Sequence, residues 1–329
     1  MEREITMTTY IVRRLIQTVM MLIVLSYVCF SLMALMPGDP VELMIQSNPK
    51  ITSADVARLR TLYGLDQPGY VRYGNWVKSL ASGDLGYSRT YRIPVAEFMP
   101  TRLMNTFILS FASLVVAILV SIPLGVYTAL RPNSKFDYIV NFFAFAGISV
   151  PSFWLGIMLI LFLAVFVGWF PAGGTSTPGM ENADILSLSL DRLKYLVLPT
   201  ISLAYMEVGT FLRYTRSAMM EAMRGDYIRT ARAKGLSRRE VVWGHGFRNA
   251  VLSLITIITL SFSGVFSGAM ITETVFSYQG VGKLVYDAII GNDFNVAMVS
   301  FMISVAMVLL FNLIADILYA FADPIISFK

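Results

Sequence analysis

Long apolar runs that are almost free of charged side chains recur along the whole of this 329-residue sequence. A helix needs about 20 such residues to cross the hydrocarbon core of a lipid bilayer, which is roughly 30 Å thick. Hydrophobic residues make up 56% of the chain and charged residues only 14%, which gives more apolar surface than a soluble core can bury. The sequence therefore predicts an all-α membrane protein, because a helix satisfies its own backbone polar groups within the bilayer.

Six of the runs are candidate transmembrane helices. They cover residues 15–36, 103–130, 138–180, 196–212, 249–272 and 295–315. The third run is longer than one span, and we expect a loop within it near residues 170–174. The fourth is interrupted by Glu207 and is the weakest of the six. The first exceeds the apolar core of a secretory signal peptide and no small-residue cleavage motif follows it, so we expect an uncleaved anchor.

The positions of the basic residues predict the orientation of these spans. With the N-terminus placed in the cytoplasm, the cytoplasmic segments hold fifteen lysines and arginines, and the two short outer loops hold three. The long segment after the first span is left out, because the positive-inside rule loses its force in long loops. The rule then places both termini in the cytoplasm.

The same runs divide the chain into three parts. These are a cytoplasmic N-terminus with the first span at 1–36, an extracytoplasmic region at 37–102, and a five-helix core at 103–329 with an inner loop at 213–249. In the outer region, apolar spacing predicts a helix at 52–63 with Ser53 as its N-cap. Pro123 and Pro151 are expected to kink or end helical segments, since each removes a backbone donor.

The inner loop at 213–249 is the most basic segment, and its local signals predict two short helices. Asp226 is a candidate N-cap for a helix at 227–234, which Gly235 would close at its C-terminal end. Residues 237–240, Ser-Arg-Arg-Glu, have the spacing of a capping box that opens a second helix. We therefore expect a helix, a sharp turn and another helix at the membrane surface.

Three interpretations of this loop compete. A basic amphipathic loop could lie against anionic lipid headgroups, and a helix-turn-helix could read DNA, although a loop tethered at both ends is too small for its own core. The third interpretation is a docking element that inserts a short helix into a cytoplasmic partner. On that helix, Tyr227, Ile228 and Ala231 share one face, while Thr230, Ala231 and Ala233 are small enough to allow close approach.

The residues of the loop resemble a known family. The coupling loop, or EAA loop, of ABC importer permeases of the dipeptide/oligopeptide/nickel family is similar to the run Asp226, Tyr227, Ile228, Arg229, Thr230, Ala231, Arg232, Ala233, Lys234, Gly235 and Leu236. The Glu-Ala-Ala positions of the family fall on residues 229–231, and its glycine falls on Gly235. The likeness extends to the segments at 10–15, 36–40, 63–68, 83–88, 94–95, 149–153, 273–278, 280–282 and 323–324. Its long outer loop is that of the family's first permease subunit.

The resemblance implies a fold, a function and a set of partners. It implies the six-helix fold of type I ABC importer permeases, in a multi-pass protein of the prokaryotic cytoplasmic (inner) membrane. Expected partners are a second homologous permease, two ABC ATPase subunits, an extracytoplasmic substrate-binding protein and the lipid bilayer, with no nucleic acid. ATP and Mg would bind the ATPases, so that this chain is a translocating subunit without a cofactor of its own and not an enzyme.

The substrate stays open at this point. Di- and oligopeptides are the default of the family, with nickel chelates, glutathione, opines and oligosaccharides as alternatives. A stand-alone channel or secondary transporter is the competing class, which would need no ATPase. The sequence itself lacks the phosphate-binding pattern G-x-x-x-x-G-K-[ST]: around Gly282-Lys283, Ser277 replaces the first glycine and Leu284 the final Ser/Thr.

Two acidic residues within the spans have several possible roles. Glu207 is a candidate for the translocation pathway, where it could meet the amino terminus of a peptide. It could equally pair with Arg213, or be held protonated by a hydrogen bond. Asp316, at the inner end of the last span, is expected to be a structural interface charge. One cysteine and one histidine argue against a disulfide and a zinc site.

Overall fold

The computed structural model of the protein describes residues 7–34, 52–62, 64–180 and 183–322. The Pro-Gly-Asp-Pro motif at 37–40, Tyr63 and the Asp-Pro pair at 323–324 lie outside these ranges. The described backbone is helical apart from loops and one isolated β-bridge between Tyr87 and Pro94.

The helices are numbered here in chain order. The α-helices are α1 (Met7–Ala34), α2 (Ser53–Leu62), α3 (Gly69–Ala81), α4 (Val95–Leu130), α5 (Lys135–Ser149), α6 (Ser152–Leu159), α7 (Ile185–Ala222), α8 (Asp226–Ala233), α9 (Arg248–Val275), α10 (Val281–Ile290) and α11 (Phe294–Ala322). Two segments with wider π-helical turns are π1 (Ile160–Phe166), which continues α6, and π2 (Glu240–Phe247), which leads into α9.

The spans agree with the six predicted from the sequence. Four helices, α1, α4, α7 and α11, are each long and apolar enough to cross a membrane. Two bent segments bring the number to six when each is taken as one span: α5 with α6 and π1, and π2 with the start of α9. The fourth span is one unbroken helix of 38 residues, because a single charged residue such as Glu207 lowers the hydropathy without interrupting backbone hydrogen bonds.

The third span differs from the prediction in its shape. The chain turns by 107° between α5 and the segment formed by α6 and π1, with Val150 extended and Pro151 immediately before α6. Proline disfavours helical backbone in the residue before it, so the expectation for Pro151 is confirmed. Pro123 lies inside α4, which continues through it. The loop expected near 170–174 begins earlier, since π1 ends at Phe166.

Close helix packing holds this bent span against α7. A Cβ atom on Gly209 would lie 2.4 Å from the backbone oxygen of Ala144, and one on Gly147 would lie 2.8 Å from that of Tyr205. Small residues that let backbones approach are the usual means of helix association in membranes. The Tyr205 hydroxyl also donates to the carbonyl oxygen of Phe143 at 3.0 Å. Two close backbone contacts and one hydrogen bond therefore hold α5 against α7.

Aromatic contacts join the outer region to the first span. Tyr73 on α3 packs edge-on against Tyr27 and Phe30 of α1, with ring centroids 5.2 and 5.6 Å apart. The hydroxyls of Tyr73 and Ser26 lie 2.6 Å apart. These contacts hold α3 at the surface of α1, a position that the sequence did not predict.

The short helix α2 begins as a capping box. Thr52, not Ser53, precedes the helix, and the Thr52 hydroxyl accepts a hydrogen bond from the Asp55 backbone N–H at 3.3 Å. Asp55 in turn accepts from the Thr52 hydroxyl and N–H at 2.6 and 3.0 Å, which holds the pKa of its carboxyl below the usual value. The predicted N-cap was wrong by one residue because two adjacent residues, Thr52 and Ser53, both suit that position.

The loop at 86–94 is fastened to the start of α11. The buried carboxylate of Asp293 accepts hydrogen bonds from the Ser88 hydroxyl at 2.6 Å and from the Thr90 backbone N–H at 2.9 Å. The Ser88 hydroxyl also accepts from the Tyr91 N–H at 2.9 Å, and the Asn295 amide donates to the Tyr87 carbonyl at 3.2 Å. One buried carboxylate thus organises a loop about 200 residues distant in sequence.

Replacement of this carboxylate is expected to free the loop. Asp293→Ala would leave the buried Ser88 hydroxyl without its acceptor, at a cost of about 1–3 kcal/mol, and would also remove the acceptor of the partly buried Thr90 N–H. We expect amide hydrogen exchange across 86–94 to accelerate by at least about tenfold, as an opening free energy lowered by 1.4 kcal/mol predicts. Asn295→Ala, which removes one exposed hydrogen bond, should have a much smaller effect. Unchanged exchange in Asp293→Ala would show that the carboxylate does not anchor the loop.

Candidate functional site

The short helix α8 is the candidate coupling element, and its bounds follow from local signals. It begins at Asp226 and ends at Ala233. Gly225 occupies the N-cap position predicted for Asp226, so that prediction was wrong. Asp226 instead lies in the first turn, where a carboxylate suits the positive end of the helix dipole. Its carboxylate is 3.4 Å from the guanidinium of Arg229, and both side chains are exposed.

The turn after α8 has the predicted form. Gly235 has a φ of +78°, the left-handed conformation that ends many helices and that glycine adopts without steric cost. Ser237 and Glu240 then form the predicted capping box: Glu240 accepts from the Ser237 N–H at 2.8 Å, and Ser237 accepts from the Glu240 N–H at 3.3 Å. The chain continues through π2 into α9, so α8 lies directly between the spans formed by α7 and α9.

The inward face of α8 consists of two buried apolar residues. Ile228 and Ala231 are 1% and 3% exposed, and they pack against Val241 of π2 and Met223 near the end of α7. The sequence placed Tyr227 on the same face, but its side chain is 40% exposed. Ala231 therefore packs against its own chain. The prediction that its small side chain allows close approach of a partner was wrong.

The outward face of α8 and the turn after it are exposed, and none of the described residues packs over them. Exposed side chains there are those of Asp226, Tyr227, Arg229, Thr230, Arg232, Ala233, Lys234 and Leu236. The surface combines three basic residues with an aromatic ring and two small residues. Ile228 and Ala231 attach this surface to the ends of α7 and π2. A force that a partner applies to α8 can therefore move both of these elements.

The left-handed glycine gives a direct test of this geometry. A Cβ atom on Gly235 would meet nothing within 4 Å, so Gly235→Ala adds backbone strain alone, about 1–2 kcal/mol. We expect a lower thermal stability of the coupling segment, measured as faster proteolytic cleavage between α8 and π2. Gly244→Ala is the matched control, since Gly244 also has open space around its Cβ position but lacks a positive φ. Equal cleavage of the two variants would contradict the assigned role of Gly235.

The two intramembrane acids occupy different environments. Glu207 is partly buried on α7 and hydrogen-bonds Ser261 on the neighbouring helix α9. Arg213, considered as its partner, instead has its guanidinium 5.6 Å from the centre of the Tyr214 ring. Asp316 pairs with Arg14 of the first span at 3.2 Å, which confirms its predicted role as an interface charge.

A buried carboxylate that sequence reasoning left without a role is Glu273, at the end of α9 away from α8. It is fully buried and accepts hydrogen bonds from the Thr106 hydroxyl at 2.6 Å and the Lys283 N–H at 2.9 Å. The Val281 N–H donates to the same Thr106 hydroxyl at 2.8 Å. Glu273 thus satisfies the free amides at the start of α10 and joins α4, α9 and α10. In the sequence, the available signal for this role was an acidic residue a few positions before the glycines Gly280 and Gly282.

A largely buried ion pair joins the bent third span to α7. The guanidinium of Arg216 donates two hydrogen bonds to the carboxylate of Asp137, at 2.8 and 2.7 Å. The same carboxylate accepts from the Asn133 backbone N–H at 3.0 Å and from the Asn141 amide at 2.7 Å. This pair lies at the end of α7 that leads into α8, so it fixes the base of the coupling element.

Comparison with known proteins assigns the family. The model of the family described as "Binding-protein-dependent transport system inner membrane component" matches residues 121–327, and a model of the N-terminal part of such membrane components matches residues 7–110. The chain belongs to this family. The family resemblance of the sequence is thereby confirmed, and the protein is a multi-pass inner-membrane component.

Relatives match over nearly the full length of the chain. The oligopeptide transport system permease protein AppB of Bacillus subtilis is 41% identical, over 98% of this chain and all of the relative. The dipeptide transport system permease protein DppB of Alkalihalophilus pseudofirmus is 35% identical, with 98% and 100% covered. The di/tripeptide permease protein DppB of Pseudomonas aeruginosa is 37% identical, with 97% and 98% covered.

A solved structure supports the predicted fold class. The inward-facing MetNI methionine ABC transporter contains a chain that matches with a TM-score of 0.53 and 19% identity, over 69% of this chain and 97% of that one. At this identity the match concerns the fold alone. It agrees with the type I ABC permease fold expected from the sequence.

Proposed function

We propose that this chain is the translocating permease subunit of an ATP-driven importer for di- or oligopeptides. The observation that carries the proposal is α8, a short helix outside the spans whose inner face is buried on its own chain and whose outer face is exposed. This arrangement suits a helix that receives force from a partner and passes it to α7 and α9. The names of the full-length relatives support peptides as the substrate class.

The proposed partners follow from the family of the chain and from the exposed face of α8. We propose that a second homologous permease completes the translocation pathway, that two ABC ATPase subunits bind the α8 surfaces, and that an extracytoplasmic binding protein delivers the substrate. ATP and Mg would bind the ATPases alone. The basic residues near α8 favour the cytoplasm for this loop and for both termini.

The proposed mechanism is alternating access. Closure of the ATPases on ATP would move α8, and the burial of Ile228 and Ala231 against Val241 and Met223 would carry π2 and the end of α7 with it. The cavity between the two permeases would then open outward, receive the peptide and open inward again after hydrolysis. Glu207, which lies between α7 and α9 beside Ser261, is proposed to line this pathway and to meet the peptide amino group.

The experiment is reconstitution of the complete complex in proteoliposomes, with ATP inside and labelled peptide outside. Ala233→Trp adds bulk to the exposed face of α8 without touching its buried face, so we expect peptide uptake to fall by at least about tenfold through lost ATPase docking. Ala81→Trp is the matched control, the same change at an exposed helix end in the outer region. Uptake that survives Ala233→Trp would overturn the coupling role of α8.

Uptake by the same proteoliposomes also distinguishes a peptide importer from a stand-alone transporter and from an importer of another solute. A stand-alone transporter would take up substrate without the ATPases. An importer for a nickel chelate, glutathione, an opine or an oligosaccharide would show ATP-dependent uptake of that solute and none of peptide. The peptide assignment therefore fails independently of the importer assignment.

A further inference from the structure

A polar crevice lies between the start of α5 and the end of α7, apart from the exposed face of α8. Its volume is about 710 Å³, and the residues that line it include Asp137, Phe145, Arg213, Arg216, Glu221 and Arg224. We call it the inner crevice, since on the proposed orientation it opens at the cytoplasmic face of the membrane. No step of the proposed transport mechanism uses it.

Three arginines line the inner crevice. Arg213 and Arg216 lie on α7, and Arg224 lies in the turn two residues beyond the end of α7 at Ala222. Arg216 is fixed in place by its two hydrogen bonds to Asp137. Arg213 and Arg224 are exposed, and the ion pairs found among the described residues include neither of them. Two guanidinium groups therefore line the crevice without an ion-pair partner among the described residues.

The acidic groups of the crevice define the ligand further. Asp137 is occupied by Arg216, Asn133 and Asn141. Glu221 is exposed at the crevice, and its carboxylate can accept hydrogen bonds. A ligand that fits has a phosphate for Arg224 and for Arg213, whose guanidinium stacks at 5.6 Å from the Tyr214 ring and has no carboxylate partner among the described residues, and a hydroxyl or amine donor for Glu221.

The opposite wall of the crevice indicates where this ligand comes from. Tyr138 and Phe145 line it and are 65% and 56% exposed, and Ile139 and Phe142 beside them on α5 are 57% and 69% exposed. An apolar helix face next to a basic pocket at the membrane boundary is the environment of a phospholipid, with acyl chains on the apolar side and the headgroup in the pocket. A soluble anion would gain nothing from these exposed rings.

We propose that the inner crevice binds the headgroup of a phospholipid of the cytoplasmic leaflet, with the phosphodiester on Arg213 and Arg224 and a headgroup hydroxyl or amine on Glu221. The orientation of the crevice rests on the proposed function, but binding of the lipid does not depend on the transported substrate. Arg224 lies two residues before α8, so the bound lipid would hold the base of the coupling helix. ATPase coupling is then expected to depend on the lipid.

The test is native mass spectrometry of the detergent-purified complex, titrated with phosphatidylglycerol. The double variant Arg213→Gln/Arg224→Gln is expected to bind one lipid fewer, or to bind it at least about tenfold more weakly, through the loss of two charge-assisted hydrogen bonds. The control Arg13→Gln/Arg248→Gln removes the same charge from exposed positions outside the crevice and should bind as the unaltered complex does. Equal weakening in both double variants would mean general charge attraction and would overturn the site.

Two further measurements distinguish the source of the ligand. Millimolar inorganic phosphate or glycerol phosphate should not displace the lipid; displacement would assign the crevice to a free anion instead. In nanodiscs of phosphatidylcholine, addition of phosphatidylglycerol should raise peptide-stimulated ATPase activity of the unaltered complex but not of Arg213→Gln/Arg224→Gln. If that variant binds the lipid normally yet loses its ATPase subunits, the arginines contact protein and the lipid proposal fails, while the importer function stands.

Discussion

Gly280→Ala is expected to abolish accumulation of the folded protein, although alanine is the smallest possible addition. The backbone of Gly280 is extended, with φ −99° and ψ −174°, so its conformation does not require glycine. A Cβ atom there would lie between 2.1 and 2.4 Å from the carboxylate atoms of Glu273. The methyl group would displace a fully buried carboxylate from its donors, at a cost of at least about 3 kcal/mol.

The measurement is the yield of the chain in membranes, together with thermal unfolding of the purified complex for each variant that accumulates. Gly74→Ala is the control, because Gly74 lies in α3 with nothing within 4 Å of its Cβ position, and alanine in a helix is neutral or stabilising. Glu273→Ala should also destabilise, by orphaning the Thr106 hydroxyl and the Lys283 N–H. The double variant Gly280→Ala/Glu273→Ala should then be no less stable than Glu273→Ala alone, because the clash is gone. Additive losses would contradict this account.

The features that could be predicted from sequence depend on neighbours in the chain. Hydropathy found the spans because crossing a membrane requires consecutive apolar residues. The Ser237–Glu240 capping box and the left-handed Gly235 were predicted for the same reason, since both are set by residues three or fewer positions apart. The bend at Pro151 also followed from one residue, but its 107° angle did not, because packing against α7 sets the angle.

The features that could not be predicted depend on partners far away in sequence. Asp293 and Ser88 are 205 residues apart, and Glu273 and Thr106 are 167 apart; helical periodicity contains no information about either contact. The inward face of α8 was missed in part because its burial depends on a residue of another helix. Tyr227, Ile228 and Ala231 satisfy the spacing of one face, and only the position of Val241 in π2 decides which of them are buried.

Asp137→Ala is expected to be among the most destabilising single changes in the chain. The Asp137 side chain is 4% exposed and that of Arg216 24%, with 2.7 Å between the charged groups. Loss of the carboxylate leaves a largely buried guanidinium without its counter-charge and the Asn133 N–H without an acceptor, while the Asn141 amide keeps one hydrogen bond to the Asp137 carbonyl. Breaking such a pair from one side costs about 3–5 kcal/mol when burial is complete, and we expect the lower end because Arg216 is partly exposed.

Replacing both residues distinguishes the net contribution of the ion pair to stability from the destabilisation caused by leaving one charge unpaired. Asp137→Ala/Arg216→Met removes the orphaned charge and fills the space with an apolar chain, and such double replacements are often close to neutral. Thermal unfolding should therefore show recovery of most of the loss caused by Asp137→Ala. Asp226→Ala serves as the control, since it breaks the exposed pair with Arg229 and should leave the melting temperature unchanged. If the double variant were as unstable as Asp137→Ala, the damage would come from the lost Asn133 and Asn141 contacts, and the ion pair would not be what fixes α5 to the base of α7.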